Sequence, residues 1–454
     1  MFLAKNYLIG NAVGERIFSE IGTLPIIDAH NHADVAALAR NENYTDLWQL
    51  FAATDHYVWE VMRKAGVEEK FITGSATPEE KFLKLGEVFD DVAGNPVYEW
   101  IHLDLRFLGI DEILNADTAA SIWEQGKRIL TRPDFRPLEI LKRLNVEVMC
   151  STDDPADTLE NHVTVNQLLG GKCRVLPTWR PDKSIKLAAP GFREYLDTLG
   201  ARYHHPIKDL DDLLYALRQS HDFFAERGCR ASDHGIEIAS SGCGDRARAQ
   251  RTFADALSGI TPDSGEVKNY VDFLMGEFGV WNSETDWVTQ LHVGAVRDVR
   301  KSIFSTLGPD AGGDVSSLMQ DHLGPLVDFL NRFDDKLKVV LYCLDPGQQP
   351  TLATLSRAFS SKVRLGSAWW LCDTPIGMKR QLEYIGSVDI LSNFAGMVSD
   401  SRKLLSYGSR FEMFRRVLAD VLGRMVESGQ MPENVAARLA AKISYSSPKK
   451  FFNM

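Results

Sequence analysis

The 454-residue sequence holds six cysteines, and none forms a CxxC pair. Cys150, Cys173, Cys229, Cys243, Cys343 and Cys372 are scattered, several in apolar strand-like runs where a free thiol packs as a small hydrophobe. That pattern excludes a disulfide scaffold and predicts a reduced, cytoplasmic protein. No run approaches the 18 or so apolar residues needed to span a bilayer, and "MFLAKNYLIGNAVGERIF" lacks the basic, apolar and cleavage regions of a secretion signal. Positive charge is outweighed by negative, with 51 lysines and arginines against 62 acidic residues. A net charge of −11 argues against nonspecific attraction to nucleic acid or anionic membranes, so neither is an expected partner. An anionic small molecule stays possible, because a few placed arginines outweigh the mean field locally. Low-complexity linkers and internal repeats are missing too.

What is present is ordinary for a globular enzyme with a large core: 44% hydrophobic and 25% charged residues. Eight short apolar or β-branched runs recur, each ending in polar residues. They are 24–32, 144–154, 173–180, 228–235, 286–294, 336–345, 362–373 and 387–402, the last including a helix end. Amphipathic segments separate most of them, as in "DLDDLLYALRQSHDFFAERG", whose apolar residues fall three and four apart before Gly228. Strand–helix alternation implies parallel pairing. Eight such units predict an α/β fold of the (β/α)8 TIM-barrel type, with its site at the C-terminal strand ends. More than 110 residues separate the first two runs. A connection that long predicts a helical insertion over 33–143, covering the barrel mouth. Residues 403–454 read as terminal helices, and 1–454 as one elaborated domain.

"LPIIDAHNHADV" (24–35) is the stretch richest in chemistry. Side chains two apart on a strand share a face, so His30 and His32 converge, Asn31 turns away and Asp28 joins the histidines. Neutral imidazole is the commonest metal ligand, although two surface histidines at a strand end show the same pattern. His292 ends the fifth run and Asp400 follows the eighth. In a closed barrel these ends face one cavity, and two histidines with one aspartate leave open coordination positions. His292 is as well suited to hydrogen bonding beside an ion as to ligation. Of the consecutive Trp369 and Trp370, one belongs in the core and the other can wall a pocket. Asp233 and His234 read as supports of the ligands, "STDDP" as a turn or a strand-end brace, and His204 and His205 as surface. A GxGxxA at 242–247 resembles a dinucleotide fingerprint, but no second strand with an acidic end follows its helix.

Nine blocks in order carry a wider resemblance. They are "DAHNH", "DHYVWEVMR" (55–63), "STDDP" (151–155), "LPTWRPD" (176–182), "SDHG" (232–235), "QLHVGAVR" (290–297), "AWWLCD" (368–373), "GMVSDSR" (396–402) and "ISYSSPKKFF" (443–452). Over nearly its whole length the chain resembles the uronate (glucuronate) isomerases of the amidohydrolase-like barrels. The resemblance implies interconversion of D-glucuronate with D-fructuronate and of D-galacturonate with D-tagaturonate. It also implies a divalent cation, zinc or another, on His30, His32 and Asp400. His56, Tyr57, Arg180, His292 and Arg402 match positions around the substrate, and Trp370 is a further expected contact. Proton transfer between C2 and C1 falls to Tyr57, His56 or Asp400, and the arginines suit the substrate carboxylate or hydroxyls. A uronic acid is the expected partner, in a homo-oligomer. Ala33 and Asp34 follow His32 where many relatives carry apolar residues or proline, which bears on substrate preference. The competing reading is a metal-dependent hydrolase on the same barrel, and a sugar-acid sensor is a third. Binuclear hydrolases commonly bridge their ions with a carboxylated lysine. Here the middle strand ends offer none, since Lys183 lies beyond the third strand.

Overall fold

The computed structural model describes residues 2–237, 239–317 and 321–454. Among the described residues there are nine strands: β1 Ile26–Asp28, β2 Val146–Cys150, β3 Arg174–Leu176, β4 Ala231–Gly235, β5 Val288–Val293, β6 Ala295–Val296, β7 Val315–Ser316, β8 Lys338–Cys343 and β9 Val363–Leu365. β1-β2-β3 form one parallel sheet and β4-β5-β8-β9 another, while β6 and β7 make an antiparallel pair. The architecture is therefore α/β with parallel pairing. Runs such as "VVLYC" in β8 are buried on both faces, as expected where helices cover a parallel sheet. Isolated bridges join Asp153 to Trp179 and Trp179 to Ser232, linking the two sheets.

The last of the eight expected runs forms no strand. Helix Pro375–Val388 and a short turn of 3₁₀ helix, Leu391–Asn393, occupy its first half, and 394–402 belongs to no helix or strand. Ala395 N donates to Leu365 O at 3.0 Å and Asp400 N to His30 O at 3.1 Å. Between them, Ser399 N donates 2.9 Å to the Asp28 carboxylate instead of to a backbone carbonyl. A side chain has replaced the ladder partner. The β6–β7 pair, between the fifth and sixth expected runs, carries too few residues to leave an alternating pattern.

Between β1 and β2 the chain is helical: Val35–Arg40, Leu47–Phe51, His56–Lys64, Pro78–Val88, Pro96–Leu108, Ala119–Leu130 and Pro137–Arg143. Local chemistry starts several of them. Thr77 and Glu80 form a capping box, and Asn95 caps Val97 N with Pro96 in the first turn. After Arg402 come Ser406–Glu427, Glu433–Ala441 and Ser447–Phe451. Helix Leu210–Glu226 lies on "DLDDLLYALRQSHDFFAERG", capped by Asp209. In the GxGxxA segment, a Cβ on Gly244 would meet Asn269 O at 2.2 Å, so this glycine serves helix packing. No helix among the described residues is long and apolar enough to cross a membrane.

Candidate active site

His30 and His32 sit just past β1, where the chain turns toward the 399–402 segment. His30 Nε2 lies 3.1 Å from Asp400 Oδ1, and His32 Nε2 lies 3.3 Å from the same oxygen. The two rings stand 5.1 Å apart and nearly perpendicular. Asp400 takes φ 47°, a left-handed conformation that non-glycine residues keep where the surroundings enforce it. Bonds on both sides enforce it here: Asp400 N to His30 O, and His32 N to Ser401 O at 3.0 Å.

Hydrogen bonding sets the His32 tautomer. Thr152 Oγ1 donates to Asn31 O and therefore accepts from His32 Nδ1–H at 3.1 Å, which leaves the Nε2 lone pair toward Asp400. His30 Nδ1 faces Asp233 Oδ2 at 3.6 Å, and His292 Nδ1 lies 2.7 Å from Asp233 Oδ1. Arg180 Nη1 reaches Asp233 Oδ2 at 3.2 Å. Burial alone would raise the Asp233 carboxyl, but Arg180, His30 and His292 together hold it well below the usual range. His292 stacks on Tyr342, rings 4.4 Å apart at 3°. Its Nε2 is buried with no hydrogen-bond partner.

The donors fit a divalent cation. Separations of 3.1 and 3.3 Å approach the edge of about 3.3 Å in a tetrahedron of ligands near 2 Å from zinc. The surroundings also pull positive charge inward: burial would lower the His30 pKa, yet Asp233 and Asp400 overcome it and raise it. A second group, His30, Asp233 and His292, also brings ligand atoms close together. There the Arg180 guanidinium already supplies the positive charge.

Arg180 is locked. Its Nε donates 3.0 Å to Asp182 Oδ2, which also accepts from Gly235 N at 3.0 Å. A Cβ on Gly235 would sit 2.5 Å from Arg180 Nη2, so glycine is required there for the guanidinium to approach. Arg402 is freer: its Nη2 pairs with Asp310 at 3.3 Å, on the loop between β6 and β7. Arg297 lies 3.7 Å from the same aspartate and 4.9 Å from the Trp370 ring centre.

His56 and Tyr57 open helix His56–Lys64, capped by Asp55, with their rings 4.7 Å apart. His56 also meets Trp370 edge-on at 5.7 Å. Burial lowers the His56 pKa against the pull of Asp55, leaving a neutral imidazole. Burial drives the Tyr57 phenol well above its usual value, opposed by Arg410.

Two expectations need correction. Asp28 does not join the histidines. Strand geometry ends at Asp28, alternation lapses, and its carboxylate accepts from Ser399 N and Ser399 Oγ, bracing the segment before Asp400. His234 supports no ligand either: its Nε2 bonds Ser232 Oγ at 2.7 Å and its ring stacks on Phe278. Both tryptophans of the 369–370 pair are buried, with Trp369 against His292 and Trp370 against His56. Thr152, Asp182, Gly235 and Asp310 escaped the sequence reading. The first three lie inside the quoted blocks, and nothing local marks Asp310.

The sequence profile described as glucuronate isomerase matches residues 1–452. The chain belongs to the glucuronate isomerase family. It is 48% identical over 453 residues to the uronate isomerase of Thermotoga maritima, covering all of both chains. The crystal structure of uronate isomerase from that organism superposes with a TM-score of 0.97 over 100% of both chains. The glucuronate isomerase of Caulobacter crescentus shares the fold with a TM-score of 0.94 at 24% identity, covering 99% of this chain and 97% of that one. A Lactobacillus casei protein described as a metal-dependent hydrolase shares it more distantly, with a TM-score of 0.56 at 15% identity over 96% and 97% of the two chains. As a member of the glucuronate isomerase family, this protein is an isomerase.

Proposed function

We propose that this enzyme interconverts D-glucuronate with D-fructuronate, and D-galacturonate with D-tagaturonate. A proton moves between C2 and C1 of the open-chain sugar through an enediol. The observation that carries the reading is full-length 48% identity to the Thermotoga maritima uronate isomerase. His30, His32 and Asp400 would hold a divalent cation, with zinc favoured by two imidazoles and one carboxylate. When bound, the cation supplies Lewis-acid polarisation of the substrate carbonyl. The Trp179 bridges and the contacts of 395–401 with Leu365 and His30 support a closed eight-stranded barrel around this site. Helices of 33–143 would roof it.

The chain's own groups divide the remaining work. Neutral His56 is competent to accept a proton, protonated Tyr57 to donate one, and Asp400 is a third proton-transfer group. Together they are worth roughly 10²–10⁴-fold in rate. Arg180, already engaged by Asp182 and Asp233, suits a substrate hydroxyl. Arg402, whose partner is the half-exposed Asp310, suits the carboxylate. His292 offers Nε2, and Trp370 walls the pocket beside His56. Six free thiols, five of them buried, fit a reducing cytoplasm.

Hydrolysis on the same fold is disfavoured by the site itself. Lys183 pairs with Asp154 and is 66% exposed, and Arg180 fills the place of a second cation. Incubating the metal-replete enzyme with D-glucuronate in D₂O tests the reading by proton NMR. Ketose should accumulate with solvent deuterium at carbon; an unchanged sugar rejects it.

A further inference from the structure

Arg410, on helix Ser406–Glu427, is 1% exposed and lies outside every group assigned a role above. Its Nη1 donates to Asp373 Oδ2 and to Ser399 O, each at 2.9 Å. The guanidinium carbon stands 4.7 Å from the Tyr57 ring centre and 4.1 Å from that of Trp100. Tyr57 and Trp100 meet edge-to-face at 5.6 Å. One cation thus touches the Tyr57 ring, the carboxylate three residues after Trp370, and the carbonyl immediately before Asp400. These three segments bring an acid–base ring, a pocket wall and a metal donor to the same place, the first from a position hundreds of residues before the other two.

A second buried cation works from the other side. Lys403 Nζ lies 3.3 Å from Asp55 and 3.6 Å from Asp104, and Asp55 Oδ1 accepts from Tyr57 N at 2.9 Å. The backbone at Tyr57 is therefore fixed by the Asp55 cap and its ring by Arg410. Burying a guanidinium for stability alone is a poor exchange, because apolar residues of similar volume often serve as well or better. Its fork does supply what an apolar residue lacks, a fixed direction for each neighbour.

We propose that Arg410 is a positioning residue that acts on the isomerisation through Tyr57, holding the phenol ring in register with the 399–402 segment. The inference rests on the reading that Tyr57 takes part in proton transfer.

A double-mutant cycle on the full-length, metal-replete enzyme tests it, with D-glucuronate as substrate. Arg410→Lys keeps the charge and loses the fork. Alone it should lower kcat about 10–100-fold with KM changed less than about threefold and metal content unaltered. In the Tyr57→Phe background the same substitution should cost less than about threefold, because residues acting as a unit are not additive. Equal losses in both backgrounds overturn the proposal, since a merely structural role is additive. With tyrosine labelled at ¹³Cζ, the resonance lost in Tyr57→Phe should shift in Arg410→Lys; an unmoved resonance also overturns it. Should Arg410→Lys fail to fold, Asp373→Asn enters the same cycle, freeing the guanidinium while leaving it in place. A wild type that leaves D-glucuronate unchanged defeats the isomerase reading instead, and the ¹³Cζ shift still reports the contact.

Discussion

Asp233 is the middle residue of a five-residue strand and has no exposed side-chain surface, whereas Asp310 sits on the loop before β7 with 53% of its side chain exposed. Both face arginine. Around Asp233 every partner is fixed: Arg180 is held by Asp182, His30 by Asp400, and His292 by the Tyr342 ring. Around Asp310 the partners Arg402 and Arg297 keep access to water. The floor of the site is thus a closed set of charges whose geometry is costly to disturb. At the rim, one carboxylate can be exchanged for another. On the proposed function a uronate brings its own carboxylate, and the rim is then where substrate can replace a protein group without leaving a buried charge bare.

Asp153 sharpens the contrast from inside the floor. It is nearly as buried as Asp233, but hydroxyl and amide donors face it instead of cations: Ser151 Oγ at 2.8 Å and Thr178 N at 3.1 Å. Burial therefore wins and raises its pKa to about 7, despite those donors. Similar burial produces opposite shifts, and the neighbouring charge decides which.

The largest effect is expected at the proposed metal donors. Asp400→Asn should lose bound metal on dialysis and lower turnover by about 10²–10⁴-fold or more. Full metal content by elemental analysis with intact turnover would break the assignment of the floor. Arg180→Met comes next. It leaves Asp233 and Asp182 without their shared cation, and urea unfolding should show a loss of about 3–5 kcal/mol together with weakened activity. Unchanged stability and fructuronate formation would mean that the floor is not a closed charge set.

Asp153→Asn should act in the opposite direction. Between about pH 4, where an unfolded aspartate titrates, and pH 7, the folded chain keeps a proton that the unfolded chain has released. Wild-type stability consequently falls as pH rises through that window and levels off above it. Both hydrogen bonds end on Oδ2, so the amide oxygen of asparagine can keep them. Relative to wild type the variant should gain about 3 kcal/mol at most between pH 5 and pH 8. A pH-independent difference in urea midpoints would count against the raised carboxyl. Asp310→Asn is the smallest. Releasing Arg402 from a partly exposed pair should lower KM for D-glucuronate about two- to fivefold, in line with at most about 1 kcal/mol for such a pair. A raised KM would make Asp310 a substrate contact instead of a stand-in for one.

Much of the floor is legible in the chain, because short-range pattern marks it. The HxH after an apolar run, the aspartate of "SDSR" and the strand–helix alternation are all local signals, and Asp400 indeed meets both histidines. The groups that orient the floor are less legible. Thr152 meets His32 across 120 residues, and Asp182, besides its near neighbour Arg180, accepts from Gly235 N 53 residues away. Gly235 matters for the space it leaves, which no pattern reports. The expected eighth strand and the place of Asp28 fail for one shared reason: the Asp28 carboxylate takes the Ser399 amide that a backbone carbonyl would otherwise have received. Arg410 looks, in sequence, like one more cation on an amphipathic helix. Its burial is visible only once the helix is docked.

The left-handed backbone at Asp400, φ 47°, also limits how this position can drift. Asparagine and aspartate tolerate that region far better than longer residues do, since their short side chains bond locally. Exchange for glutamate, ordinarily the mildest change available to an acid, would here meet backbone strain as well as an extra methylene beside two imidazoles. Libraries that randomise the site should thus recover aspartate alone among the acids, even under selection that merely asks for a carboxylate.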